Sequence, residues 1–237
     1  MSDQLSEFPD DWTRALCVVA HPDDMEFGGA GAVAAWTAAG KSVNYLVVTR
    51  GEAGIDGMPP GQAAEVREAE QRASAAIVGV KEVEFLEYPD GRIEYGLPLR
   101  RDITAAIRRH QPELVVGYNH RATTFTLRWN APDHRHTGAA LLDAVGDAGN
   151  RWLWPESGAE PWPGVKYVAM TSTPEPTHAV DVTDVVDIAV ASLEAHGAYI
   201  KGLGFPGSVR TPLVGLYRQT GERFGGRPAI AFELIGR

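Results

Sequence analysis

Short apolar runs rich in β-branched residues recur along the chain, each closed by a breaker: 15–20 "ALCVVA", 42–49 "SVNYLVVT", 83–88 "VEFLEY", 113–118 "ELVVGY" and 165–170 "VKYVAM". They are nearly continuous rather than alternating, the pattern of strands covered on both faces. The stretches between them have helical character. Residues 28–39 "GGAGAVAAWTAA" end at Gly40, and 63–78 "AAEVREAEQRASAAIV" set Ala69, Ala73, Ala76 and Ile77 on one stripe before Gly79. Residues 100–110 "RRDITAAIRRH" stripe Ile103, Ala106 and Ile107 and stop ahead of Pro112. Asp133 is a candidate cap for 134–145, and Thr183 or Asp184 for 185–200. Strands alternating with helices at this spacing predict an α/β fold with a mostly parallel sheet and helices on both faces. In such folds the loops leaving the carboxyl ends of the strands build the site.

Three stretches dense in Gly and Pro read as loops: 51–61 "GEAGIDGMPPG", 151–164 "RWLWPESGAEPWPG" and 202–215 "GLGFPGSVRTPLVG". Trp152, Trp154 and Trp162 are read as packing anchors within the second. The 237 residues suit one domain, 1–237. A net charge of -9 without a basic cluster argues against nucleic acid as a partner. The polar, acidic "MSDQLSEFPDDW" lacks the basic start and apolar stretch of a secretory signal, and no segment is apolar enough to span a bilayer, so a cytoplasmic protein is expected. Cys17, the single cysteine, reads as a small core residue. Assembly into a homo-oligomer is compatible with the sequence.

The first run leads straight into 20–31 "AHPDDMEFGGAG". His21 and Asp24, three residues apart across Pro22, could share a divalent cation, with His134 of "NAPDHRHTG" as the best third ligand. Two His and one carboxylate leave open positions, where a water becomes acidic enough to attack near neutral pH. Asp23 would then be the general base. Local chemistry alone also admits a blander reading, a helix cap followed by solvated turn acids. His136, His178 and His196 read as surface or helix-end residues, and His110 as the end of its helix, where a cation suits the dipole.

Together these residues resemble the PIG-L/LmbE-like family of zinc-dependent N-acetylglucosaminyl deacetylases, which includes enzymes of mycothiol and bacillithiol biosynthesis. The family signature, an apolar strand, AHPDDxE and glycines, is matched by "VVAHPDDMEFGGAG", with Met25 before Glu26; "VVTRGEAG", "VREAEQRASAAIVGV", "FLEYPDGRI" and "PDHRHTGAAL" extend the likeness to about residue 145. The resemblance implies a Rossmann-like sheet and a zinc ion, with Fe2+ chemically admissible in the same site. It puts the ligands on His21, Asp24 and His134 and the base on Asp23, and it implies a small N-acyl sugar or glycoconjugate as substrate.

Departures from the family are informative. Many members carry His-Pro-Asp-His, whose first His stabilises the oxyanion or protonates the amine; here that position is Ala131. Asn130 and His120 are candidates to replace it. Ile55 and Asp56 stand where the family often has Thr and Arg, leaving Arg50 as a candidate substrate contact, although its simplest role is an ion pair near Glu52. A late His-x-Ser-Gln becomes His196-Gly197-Ala198-Tyr199. Two other functions compete: a non-haem iron oxygenase, because the same triad serves that chemistry, and a catalytically weak sugar-binding relative, against which the retained Asp23 argues.

Overall fold

A computed structural model describes residues 4–204 and 207–236. Its framework is one eight-stranded sheet built from β1 (Ser6–Glu7), β2 (Arg14–Val19), β3 (Ser42–Val47), β4 (Val83–Phe85), β5 (Leu114–Tyr118), β6 (Tyr167–Thr171), β7 (His178–Asp181) and β8 (Ala229–Gly236). The spatial order is β1-β7-β8-β6-β5-β2-β3-β4. All pairings are parallel except those of β8, which runs antiparallel to both β6 and β7. The mostly parallel sheet with helices on both faces is thus as expected. β1, β7 and β8 are additional to the five runs singled out above, and the run at 83–88 is a strand only over its first three residues.

The near-continuous apolar runs follow from this burial, because alternate residues of each strand serve opposite cores. Cys17 and Val19 join Val33, Trp36, Leu193 and Phe232 on one face, whereas Leu16 and Val18 join Ile103, Ile107, Leu141 and Met170 on the other. Helices α1 (Asp24–Gly28), α2 (Ala30–Ala38), α3 (Pro60–Ile77), α6 (Val186–Glu194) and α8 (Arg210–Gly221) pack on the first side. Helices α4 (Leu97–His110) and α5 (Pro132–Ala148) pack on the second, and a short α7 (Gly197–Gly202) follows α6.

Several expectations are corrected. The stretch at 28–39 is not one helix: it divides at Gly29 into α1 and α2. In α3 the stripe Ala69, Ala73, Ala76 and Ile77 faces solvent, while Ala63, Arg67, Gln71, Ser74 and Ala75 are buried. The buried face is partly polar because it meets acidic side chains beneath the site. α5 starts at Pro132 without a side-chain cap, since the Asp133 carboxylate bonds other groups. Neither Thr183 nor Asp184 caps α6 directly: a 3-10 turn, Thr183–Val185, precedes it, and Asp181 accepts from the Thr183 amide and hydroxyl. Much of the third supposed loop is helical, forming the start of α8, with residues 205 and 206 lying outside the described residues. Trp152 is 83% exposed and anchors nothing, whereas Trp154 donates to Asp147 and Trp162 to the Pro112 carbonyl.

The topology selects where a site can form. The chain winds outward from β2 to β3 and β4, then returns to place β5 and β6 on the other side of β2. The switch point therefore lies between the carboxyl ends of β2 and β5, where a crevice is expected. Gly138 brings α5 against that end of β5: a Cβ there would lie 2.8 Å from the Tyr118 carbonyl oxygen and 2.8 Å from the His120 Cβ.

Candidate metal centre

His21 leaves the end of β2, and Asp24 opens α1. Between them Asp23 has φ 91, a left-handed conformation costly for a residue with a Cβ and tolerated where surroundings over-determine it. Here they do. The Asp23 amide donates to Gln71 Oε1 at 2.8 Å, and Arg67 Nη2 donates to Asp23 Oδ1 at 2.8 Å. Arg67 also donates to the carbonyls of Pro22 and Gly51, and its guanidinium lies 3.8 Å from the Tyr199 ring centroid. Gln71 Nε2 and Ser74 Oγ reach Glu26 Oε1 at 3.0 and 2.9 Å.

His134, in the first turn of α5, comes across from the β5 side. Its Nε2 lies 3.2 Å from His21 Nδ1 and 3.0 Å from Asp24 Oδ1. The other nitrogen of each ring faces an acceptor. His21 Nε2 is 3.2 Å from Asp133 Oδ2 and 3.1 Å from Asp90 Oδ1, and His134 Nδ1 is 3.0 Å from Asn130 Oδ1. Those partners orient the two rings. His21 Nδ1 and His134 Nε2 turn inward and converge with the Asp24 carboxylate, a set of donors that a cation can bridge. The donor chemistry therefore fits a divalent metal, with one ligand atom from each of His21, Asp24 and His134. The alternative of solvated turn acids fails, because Asp23 and Asp24 are 5% and 6% exposed.

The two adjacent acids are driven in opposite directions. Burial works against charge on Asp24, but His134 and His21 beside it outweigh this and hold its carboxyl well below the usual range. Burial pushes Asp23 up to about 7, with the Asp24 charge adding to the rise and Arg67 opposing it. A ligand that stays ionised next to a base poised near neutrality is the division general base catalysis needs.

The remaining candidates are placed differently. Asn130 is 1% exposed, and its amide nitrogen is committed to the Asn119 and Arg121 carbonyls at 2.7 and 3.0 Å. It orients His134 rather than offering a donor to a substrate. Burial lowers the His120 imidazole, and the charges it senses belong to Glu233, Arg121 and Glu175. Arg50 pairs with Glu68 and Glu87 at 2.8 and 2.9 Å, not with Glu52, whose carboxylate takes the Asp90 amide. His196 does lie at a helix junction, but it is fully buried, with Nε2 3.5 Å from Glu26 Oε2.

Sequence reasoning missed Arg67, Gln71, Asp90 and Tyr199. The signal for the first two was a polar stripe at 67, 71 and 74, spaced to share one helix face. Arg67 yields a prediction. Because its charge lowers the Asp23 pKa, Arg67→Gln raises it, so the acidic limb of kcat/KM should move to higher pH by at least about one pH unit. An unmoved limb in a folded, metal-loaded variant contradicts the pairing.

The chain is similar to known proteins. Residues 16–145, more than half of the chain, match the family described as PIG-L: GlcNAc-PI de-N-acetylase. A diacetylchitobiose deacetylase of Thermococcus kodakarensis is 30% identical over 204 residues, covering 81% of this chain and 72% of that protein. A probable N-acetyl-alpha-D-glucosaminyl L-malate deacetylase 2 of Bacillus anthracis is 31% identical over 139 residues, covering 56% of this chain and 59% of that protein. Among solved structures, the N,N'-diacetylchitobiose deacetylase of Pyrococcus horikoshii superposes with a TM-score of 0.86 at 25% identity, covering 95% of this chain and 85% of that one. The matched segment 16–145 runs from β2 to α5 and contains all three candidate ligands.

Proposed function

The chain belongs to the PIG-L (GlcNAc-PI de-N-acetylase) family, and from its site we propose that it is a zinc-dependent hydrolase removing an acetyl group from the amide nitrogen of a small N-acylated amino sugar or glycoconjugate. The observation that carries the reading is the buried, left-handed Asp23, clamped by Arg67 beside the converging donors of His21, Asp24 and His134. When bound, a divalent ion supplies Lewis acidity, which acidifies a water and polarises the amide carbonyl. Asp23 accepts the proton of the attacking water and passes it to the amine nitrogen as the C–N bond breaks. Acetate and free amine leave in equal amounts. Asp133 and Asp90 hold the His21 ring, and Asn130 holds the His134 ring, so both inner nitrogens face the Asp24 carboxylate.

Two imidazoles, one carboxylate and open positions suit zinc, with Fe2+ able to occupy the same donors. The names of the relatives support amino-sugar amides over oxygen chemistry. A binding-only protein would have no reason to keep a strained, buried Asp23 beside Arg67. Among the described residues no helix is long and apolar enough to cross a membrane. The test is a screen of the zinc-loaded protein against N-acetylglucosamine, N,N'-diacetylchitobiose and N-acetyl-α-D-glucosaminyl L-malate. The reading expects equimolar acetate and primary amine from at least one of them. Binding of these compounds without acetate release counts against hydrolysis.

A further inference from the structure

Asp23 occupies the position just before α1, where a carboxylate ordinarily turns back to accept from the first free amides of the helix. Here it does not: no side-chain bond caps α1, and the carboxylate accepts from Arg67 instead. Three residues on stands Glu26, the place from which a glutamate in a capping box reaches back to the amide that precedes the helix. Glu26 makes that connection through Gln71. Gln71 Oε1 accepts from the Asp23 amide at 2.8 Å, and Gln71 Nε2 donates to Glu26 Oε1 at 3.0 Å. The Asp23 N–H can only donate, which sets the Gln71 oxygen against it and the Gln71 nitrogen towards Glu26.

The bridge is held from several sides. Gln71 and Glu26 are buried, Ser74 Oγ donates to the same Glu26 Oε1 at 2.9 Å, and the Ser74 and Ser192 hydroxyls lie 2.7 Å apart, tying α3 to α6. On the far side of Glu26, His196 Nε2 stands 3.5 Å from Oε2. Arg67 and Gln71, one turn apart on α3, thus grip the side chain and the main chain of a single residue. The two grips act differently. The bond from Arg67 Nη2 to Oδ1 lets the carboxylate pivot, whereas the bond to the amide holds the backbone at φ 91. Were φ to relax to negative values, Cβ would swing and the side chain could settle on the α1 amides as an ordinary cap. An oxygen occupied by those amides is no longer offered to a water.

We propose that Gln71 is a positioning residue for the general base and that Glu26 is its anchor: by occupying the Asp23 amide, the pair keeps Asp23 left-handed and its carboxylate off the helix it precedes. This rests on the hydrolase reading above. Neither side chain takes part in the proton transfer, and both act through the geometry of Asp23.

The test compares wild type, Gln71→Leu, Gln71→Glu and the swapped variant Glu26→Gln/Gln71→Glu. Each is loaded with zinc, assayed for metal content, and given N-acetylglucosamine, N,N'-diacetylchitobiose and N-acetyl-α-D-glucosaminyl L-malate over a range of concentrations. A displacement of about 1 Å at a reacting group can cost ~10²-fold, so Gln71→Leu should lose kcat of that order, with KM and zinc content near wild type. Gln71→Glu should lose as much, because its second oxygen meets an oxygen of Glu26. The swap keeps one Glu and one Gln in place and restores a donor facing an acceptor, so it should regain at least about tenfold over Gln71→Glu. A folded, zinc-loaded Gln71→Leu with wild-type kcat overturns the assignment. A swap that holds zinc yet runs no faster than Gln71→Glu overturns it too, and that comparison stands even where Gln71→Leu does not fold. Loss of kcat in step with lost zinc marks a structural role and counts against it. A zinc-loaded wild type inert towards all three compounds defeats the hydrolase reading, and this assignment falls with it.

Discussion

Asp23→Asn should lower kcat/KM by ~10²–10⁴-fold, the usual contribution of a positioned general base, while the protein keeps its fold and one metal per chain. The substitution suits the question because it changes little else. Asn tolerates the left-handed backbone of position 23 better than most residues with a Cβ. Its side-chain oxygen can still accept from Arg67, and its backbone amide still reaches Gln71. Burial already favours the neutral form of Asp23, while Arg67 loses a charged partner but keeps the carbonyls of Pro22 and Gly51. What disappears is the capacity to take a proton. Steady-state kinetics alongside metal analysis checks the prediction, and a fully active Asp23→Asn protein would remove Asp23 from the mechanism.

His134→Ala should abolish both metal binding and turnover. Deleting the ring takes away Nε2 and leaves Asp24 Oδ1 and Asn130 Oδ1 without their partner. Losing even an outer partner of a metal ligand typically costs ~10–100-fold in affinity, so losing a ligand itself should cost more than ~100-fold. The contrast between the two variants is the diagnostic feature: one keeps metal and loses chemistry, the other loses both. Metal titration followed calorimetrically measures the second effect. Wild-type affinity in His134→Ala would show that the ion binds elsewhere, for which the His21, Asp90 and Asp133 group is the nearest alternative.

How much of this was legible in the sequence depended on distance along the chain. His21, Asp23 and Asp24 lie within four residues at the end of an apolar run, and His134 sits in a second ordered motif, so local pattern sufficed to nominate them. Arg67 and Gln71 escape a pattern of apolar positions because α3 carries alanines on its outer face and polar side chains on its inner one. The physical reason is that α3 packs against a charged base and the buried Glu26, which need polar partners rather than methyl groups. Asn130 lies beside His134, yet its contribution depends on which of its atoms are already bonded, and only coordinates reveal that. β8 joins antiparallel between β7 and β6, a crossing that a rule of alternating strands and helices does not anticipate. The strands that position the centre, β2 and β5, were those with the clearest apolar runs.

The most direct test removes all metal from the wild-type protein and adds zinc back in measured fractions of an equivalent, following acetate release from an N-acetylated amino sugar that the zinc-loaded protein turns over. Activity should be absent at the start, rise in proportion to bound zinc, and stop rising at one ion per chain. Undiminished acetate release by the stripped protein, or none from a protein carrying one zinc at His21, Asp24 and His134, would contradict the account.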